Sequence, residues 1–340
     1  MRLTSSDRKI SLPSIPSASS KRRSRLLLAV WLLLLMPMLL LLVSGVYLFL
    51  RPRVQALSLP RLPAHLTESD LGLANWHEYQ QPLPPQPLSD PHLPATPQVD
   101  SSLALLEDAA GQALLTTGQV ERGLAYLQAA AQSDPENLRY NNDYRVALRD
   151  HQRYTTEYTY FSQLAQHTHS PNVLIGLALT YVDQMRSCPT PPDGLVCQAQ
   201  ESSRSISILD TVLAAHPYNV VARFARGLNH LYWPNLMGHL PLAQVDLQYA
   251  VALSKLPSAM SSAFAPQAYM ALGDVFAKDG QVEKARNVWL NGKAVVSDSS
   301  MLDSRLAIAT NQLVNEENGP LRGLGVFVDT SLAIFWKTGR

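Results

Sequence analysis

The chain has 340 residues, 46% of them hydrophobic and 16% charged; it is too apolar for a disordered protein and low in charge for a wholly soluble one, where about 25% is usual. Its 28 Lys+Arg and 27 Asp+Glu are unevenly placed, since residues 1–25 hold seven of the bases and one acid, leaving residues 26–340 at a net charge of −5. That acidic body excludes nucleic acid as a partner, because phosphate contacts need clustered Lys and Arg, and two cysteines exclude a disulfide scaffold and a Cys-rich zinc module.

Residues 1–25 read as a basic cytoplasmic tail and 26–50 as a transmembrane helix. From Leu26 to Leu50 there are 25 residues without a charge; as a helix they span about 37 Å, enough to cross a hydrocarbon core of about 30 Å with some tilt. Trp31 and Tyr47 lie near the two ends, where aromatic rings favour the membrane interface, and Pro37 is tolerated mid-span. A cleaved signal peptide is the competing reading, with Val54-Gln55-Ala56 as its cleavage site. Signal cores run only about 7–15 residues, however, and Arg51 and Arg53 separate this run from that site. No cysteine follows the run, so a lipoprotein anchor is not expected. Lys21-Arg22-Arg23-Ser24-Arg25 outweighs Arg51, Arg53 and Arg61 on the other flank, which places the N-terminus in the cytoplasm. The rest of the chain is then extracytoplasmic. The lack of any N-x-S/T sequon favours a bacterial inner membrane and periplasm over a secretory pathway.

Residues 51–100 read as a Pro-rich linker, ten of the 24 prolines falling between 52 and 97. Such density excludes helix and central strand, and Pro82–Pro87 favours polyproline II, a semi-rigid spacer. Leu66–Tyr79 interrupts the prolines with Leu71, Leu73, Trp76 and Tyr79 and reads either as a short helix that packs back on the domain or as a docking segment.

From Ser101 helical periodicity takes over, and two stretches repeat each other. Gly111, Leu114, Gly118, Leu127, Ala130 and Pro135 fall at the spacing of a helix–turn–helix of about 34 residues. Tyr269, Leu272, Gly273, Phe276, Gly280, Ala285 and Trp289 repeat the scheme, and Gly118-Gln119-Val120-Glu121 matches Gly280-Gln281-Val282-Glu283. Small residues let paired helices approach, and the second glycine closes the turn between them. On these residues the chain resembles the tetratricopeptide repeat (TPR) family, of the single-pass membrane-anchored bacterial type. Gly123 stands where the family usually has alanine, and Ser297 where it has a terminal proline. Three degenerate units fill the middle: Arg139–Pro171, with Tyr144, Leu148, Phe161 and Leu164 as core; Val173–Tyr181 with Ile206–Pro217, split by a long inserted loop; and Val220–Tyr232 with Leu242–Pro257. Ser300–Asn315 adds a further helix. The resemblance implies an all-α, right-handed α-solenoid of about five helix pairs over 101–316. Residues 317–340 read as a C-terminal capping segment, since Val326, Val328, Leu332, Ile334 and Trp336 suit the covering of an apolar repeat end.

Chemistry-bearing motifs are few. Cys188 and Cys197 bracket a ten-residue loop in the third unit and suit a disulfide in an oxidising compartment. His167-Thr168-His169 lies in a polar helix end, where histidine suits the helix dipole, and His230 and His239 flank the Trp233-Pro234 insertion; neither reads as a metal site, and no P-loop, GxSxG, HExxH or GxGxxG occurs. The expectation is therefore no enzyme, no cofactor and no metal. In the family the first helices of each pair line a groove that holds a protein partner. Here that implies partner-facing positions at Asp108 and Gln112 in the first unit and Met270 and Asp274 in the last. In 220–232 one register buries Val221, Phe224, Ala225 and Leu228 and exposes Arg226 and Asn229; the other aligns Gly227 with Gly111 and buries Arg223 and Arg226. Unpaired buried arginines are costly, which favours the first. The function implied is a membrane-tethered scaffold for assembling or maintaining a cell-envelope complex, the alternative being a small-ligand-binding accessory of a transport or export system.

Overall fold

The computed structural model of the chain describes residues 55–73, 100–190, 192–256, 263–296, 299–314 and 329–336. The expected basic tail, the transmembrane helix and most of the Pro-rich linker lie outside them, as does the C-terminal segment before 329. Among the described residues no helix is long and apolar enough to cross a membrane.

All regular structure among the described residues is helical. The first pair is α1 (Ser101–Thr116) with α2 (Val120–Ser133), and the second α3 (Leu138–Asp150) with α4 (Tyr154–His167). The third is α5 (Pro171–Gln184) with α6 (Leu195–Ala215), and the fourth α7 (Val220–Leu231) with α8 (Leu240–Leu253). The fifth is α9 (Phe264–Lys278) with α10 (Val282–Lys293), followed by the short α11 (Ser300–Ala307) and α12 (Thr310–Val314). Each helix packs on its pair mate, each second helix packs on the first helix of the next pair, and the first helices α1, α3, α5, α7 and α9 neighbour one another in order. Contacts that run from one unit to the next in this way define an α-solenoid.

Local sequence explains the punctuation. Asp100, Asn137, Ser170 and Asn219 each accept a backbone N–H of the helix they precede, and Pro171 opens α5 where its missing N–H costs nothing. Gly118 and Gly280 adopt φ of +78° and +73°, which lets the Gln119 and Gln281 amides donate back to the Leu114 and Phe276 carbonyls at 2.9 and 2.8 Å. The degenerate second unit makes the same turn with Gln152, at φ +58°, and Arg153 donates to the Leu148 carbonyl at 2.8 Å. Trp289 fills the last pair: it is fully buried, donates to the Met270 carbonyl at 3.2 Å, and lies so close to Gly273 that a Cβ there would meet its Nε1 at 2.0 Å.

Four expectations need correction. The long loop of the third unit is short, because α6 starts at Leu195, eleven residues before the expected Ile206; its polar opening run is helical, with only Ser202 and Ser205 buried. The helix expected over Ser300–Asn315 breaks at Ile308, whose backbone is extended. The described part of the linker is no free spacer. Leu71 and Leu73 are buried in the main core, the Leu71 carbonyl accepts the Val220 amide at 3.0 Å, and Asn287 and Asn291 of α10 both donate to the Gln55 carbonyl. The described part of the C-terminal segment does not cap the last repeat either. That end is covered by α11, whose Leu302 packs on Gly292, while residues 329–336 lie across the first helices α3, α5, α7 and α9.

Candidate functional site

The face formed by the first helices carries one polar stripe. On α3, Asn142, Arg145 and Arg149 fall at i, i+3 and i+7 and share a face; beside them α5 carries Asp183, its one charged residue. Arg145 and Asp183 are fully buried and ion-paired with each other. Residues 329–336 lie on this stripe. Arg145 donates through Nη2 to the Thr330 carbonyl (2.5 Å) and through Nη1 to its hydroxyl (2.8 Å). Arg149 donates to the same hydroxyl (2.9 Å) and to Asp329 Oδ1 (3.0 Å). The Thr330 hydroxyl donates in turn to Asp183 Oδ1 (2.6 Å), and the Leu332 amide donates to Asn142 Oδ1 (2.8 Å). Charge-assisted bonds of this kind, shielded from water, are the strong ones. The Glu157 carboxyl of α4 is buried beside them; loss of water and the charge of Asp183 push it up to about 9, so it is neutral at pH 7.

Further along, Phe335 enters an aromatic slot between two units. Its ring stacks on Phe264 of α9 at 4.5 Å and meets Phe224 of α7 edge-on at 6.1 Å. Between the segment and α5 and α7 remains a cavity of about 40 Å³, lined by Val182, Leu228, Tyr232 and Leu332 among others. A wider, polar hollow of about 430 Å³ opens where the segment begins, between Arg149, Tyr154, Arg186 and Asp329.

The residues expected to face a partner lie elsewhere. Asp108 is fully buried, 3.7 Å from Arg139 of the next unit. Asp274 is buried under a bidentate pairing from Arg305 of α11, at 2.9–3.1 Å; burial raises its carboxyl to about 6 against the pull of that guanidinium. Gln112 and Met270 are half-buried. The preferred register for 220–232 holds for Val221, Phe224 and Ala225, which are buried, and fails for Asn229 and Arg226, which are not exposed. Gly227 faces α8, where a Cβ would meet Leu247 at 2.8 Å, so it takes the place Gly111 has in the first unit. Asn229 is buried and bonded to Ser202. Arg226 is held by Asp246 through Nε (2.7 Å) and Nη2 (2.8 Å) and by Asp210, and Arg223 reaches Asp246 at 2.7 Å. The arginines are half-buried and paired, so the cost that weighed against turning them inward is offset. Cys188 and Cys197 are bonded, with Cα atoms 5.8 Å apart, tying the end of the third unit's first helix to the opening turn of its second. His230 and His239 meet through their Nδ1 atoms at 2.8 Å, with Trp233 stacked on His239 at 4.1 Å; burial first, then the neighbouring ring, pushes His230 down to about 4.

No protein-family model matches the chain, and no curated protein matches it. Among solved structures the chain is similar to a thermophilic TPR protein of Thermus thermophilus, at 16% identity over 60% of this chain and 97% of that one, with a TM-score of 0.46. It is similar also to the MamA protein, at 12% identity over 62% of this chain and 98% of that one, with a TM-score of 0.36. Likeness at this level leaves the solenoid assignment resting on the helix pairing itself.

Proposed function

We propose that this chain is a membrane-tethered TPR-like scaffold whose first-helix face holds a protein partner in the cell envelope, with residues 26–50 as the anchor and the helical body outside the cytoplasm. The observation that supports it is the face itself. It already accommodates a polypeptide segment, reading a main-chain carbonyl and amide through Arg145 and Asn142 and a side chain through an aromatic slot. Main-chain hydrogen bonds for affinity and pockets for specificity are how proteins recognise peptides. A small ligand is the weaker reading: the cavity beneath the segment is about 40 Å³ against about 300–1,000 Å³ for ligand pockets, and the hollow of about 430 Å³ beside Arg149 is lined by charged and polar groups where such pockets are mostly apolar. Two measurements test the proposal. Reporters active on one side of the membrane, fused to the C-terminus, should work only outside the cytoplasm. A photo-crosslinking residue at Leu228 should capture a partner in native membranes, while one at the exposed Val295 should not. Cytoplasmic reporter activity would overturn the topology, and equal capture from both positions would overturn the binding face.

A further inference from the structure

We propose that residues 329–336 are a built-in occupant of a peptide site, held in cis, and that the site's partner is a peptide of the same chemistry: an acidic residue, then threonine or serine, an apolar residue two positions on and an aromatic residue five positions on. This rests on the scaffold reading and names the ligand of that face.

The pattern is what the site reads. Asp329 meets Arg149. The hydroxyl of Thr330 is the centre of recognition: it accepts from Arg145 and Arg149 and donates to Asp183, so a side chain without it leaves buried charged groups short of a partner. Serine supplies the same oxygen. The Thr330 carbonyl and the Leu332 amide are read through the backbone and place no demand on sequence. The segment then closes in a single 3-10 turn over Ala333–Phe335, which delivers Phe335 to the slot between Phe224 and Phe264. That slot is made by helices of two successive units and needs both.

The segment does not fill its seat: a cavity of about 40 Å³ is left beneath Leu332. The contact is also made through buried charges and backbone groups, the means by which a groove holds an exchangeable chain. Being tethered, the segment acts at an effective concentration on the order of millimolar, so a free peptide with the same contacts competes poorly until the tethered copy is weakened.

The test uses the full chain in mild detergent and a fluorescein-labelled peptide of sequence Phe327–Thr338, read by anisotropy. Wild type should bind it weakly. Thr330→Ala and Phe335→Ala in the chain, which weaken the resident copy, should each tighten binding at least tenfold. A peptide carrying both substitutions should bind no form, and adding Phe224→Ala to either tail variant should abolish the gain. If the tail variants keep their helical circular dichroism yet bind the peptide no better than wild type, the segment is a fixed part of the fold and the inference fails. The C-terminal reporter still reads the topology in that case, so the anchored topology and this inference fail separately. If Phe335→Ala unfolds the chain, Thr330→Ala decides; if both unfold it, the segment is core and the inference is overturned. A wild-type dimer that becomes monomeric in Phe335→Ala would show the segment seated in a second copy, which overturns its assignment in cis.

Discussion

Asp246 holds two arginines of the neighbouring helix, and replacing it by alanine should be among the most damaging single changes in the fourth unit. The carboxylate is 1% exposed and accepts from Arg223 Nη1, Arg226 Nε and Arg226 Nη2 at 2.7–2.8 Å. The arginine side chains are 12% and 18% exposed, so neither regains full hydration when the carboxylate is lost. Breaking a buried pair by deleting one partner costs about 3–5 kcal/mol because it strands the other charge. Arg226 keeps Asp210 and both arginines touch some water, so the lower end, about 3 kcal/mol, is expected for Asp246→Ala. In a domain of this size each kcal/mol moves the melting temperature by about 2–4 °C, giving a fall of roughly 6–12 °C. Arg226→Ala leaves Asp246 still neutralised by Arg223 and should cost only about 1–2 kcal/mol. The double variant should be less damaged than the sum, with a coupling of about 1 kcal/mol or more. Circular dichroism melts of the four proteins measure this. A change below about 0.5 kcal/mol for Asp246→Ala, or simple additivity, would refute the buried network and with it the register of α7.

Gln152→Gly should stabilise by about 0.5–1 kcal/mol in urea titrations, because Gln152 holds a left-handed φ of +58° where the matching turns use glycine; a loss of stability would refute the turn. Glu157 binds a proton in the folded state up to about pH 9 but in the unfolded state only to about 4.5. The folded chain therefore carries the extra proton between those values, and stability should fall as pH rises through that window. Glu157→Gln should flatten the fall in melting temperature between pH 7 and 9, and an unchanged profile would show the carboxyl to be solvated. Leu73→Ala should cost about 2–5 kcal/mol in thermal melts, as for a core leucine, whereas a free spacer would tolerate it. Reducing the Cys188–Cys197 bond, which closes a short loop, should cost less than about 3 kcal/mol and leave the helical circular dichroism intact.

The first and last units were legible because their information is local. A glycine at the helix contact, a second seven residues on and an apolar second helix fix the pair within some thirty residues. The fourth unit was misread for want of one residue: Asp246 lies 20 positions from Arg226, across the Trp233-Pro234 insertion, and without it two inward arginines look prohibitive. The same holds for Asp274, which reads as a surface acid until Arg305 arrives 31 positions later. The candidate site had one local sign, the Asn142, Arg145, Arg149 stripe beside the lone acid of α5. Its other half, Thr330, is 185 positions from Arg145, beyond the reach of any periodicity.

Both end segments reach the middle units, where the repeat signal is weakest, as well as the last one. Residues 55–73 run from α10 past α8, where Gln248 donates to the Ser58 carbonyl, to the start of α7; residues 329–336 tie α3 and α5 to α7 and α9. An array of ideal repeats is stabilised by intrinsic and nearest-neighbour terms and needs only its ends covered. Here the middle units lack the paired glycines of the first and last, and part of their burial comes from chain more than a hundred residues away. Those contacts close long loops and carry an entropic cost that local pairs avoid. The described segments therefore do more than connect or cap: they make the middle of the solenoid depend on chain from outside the repeats.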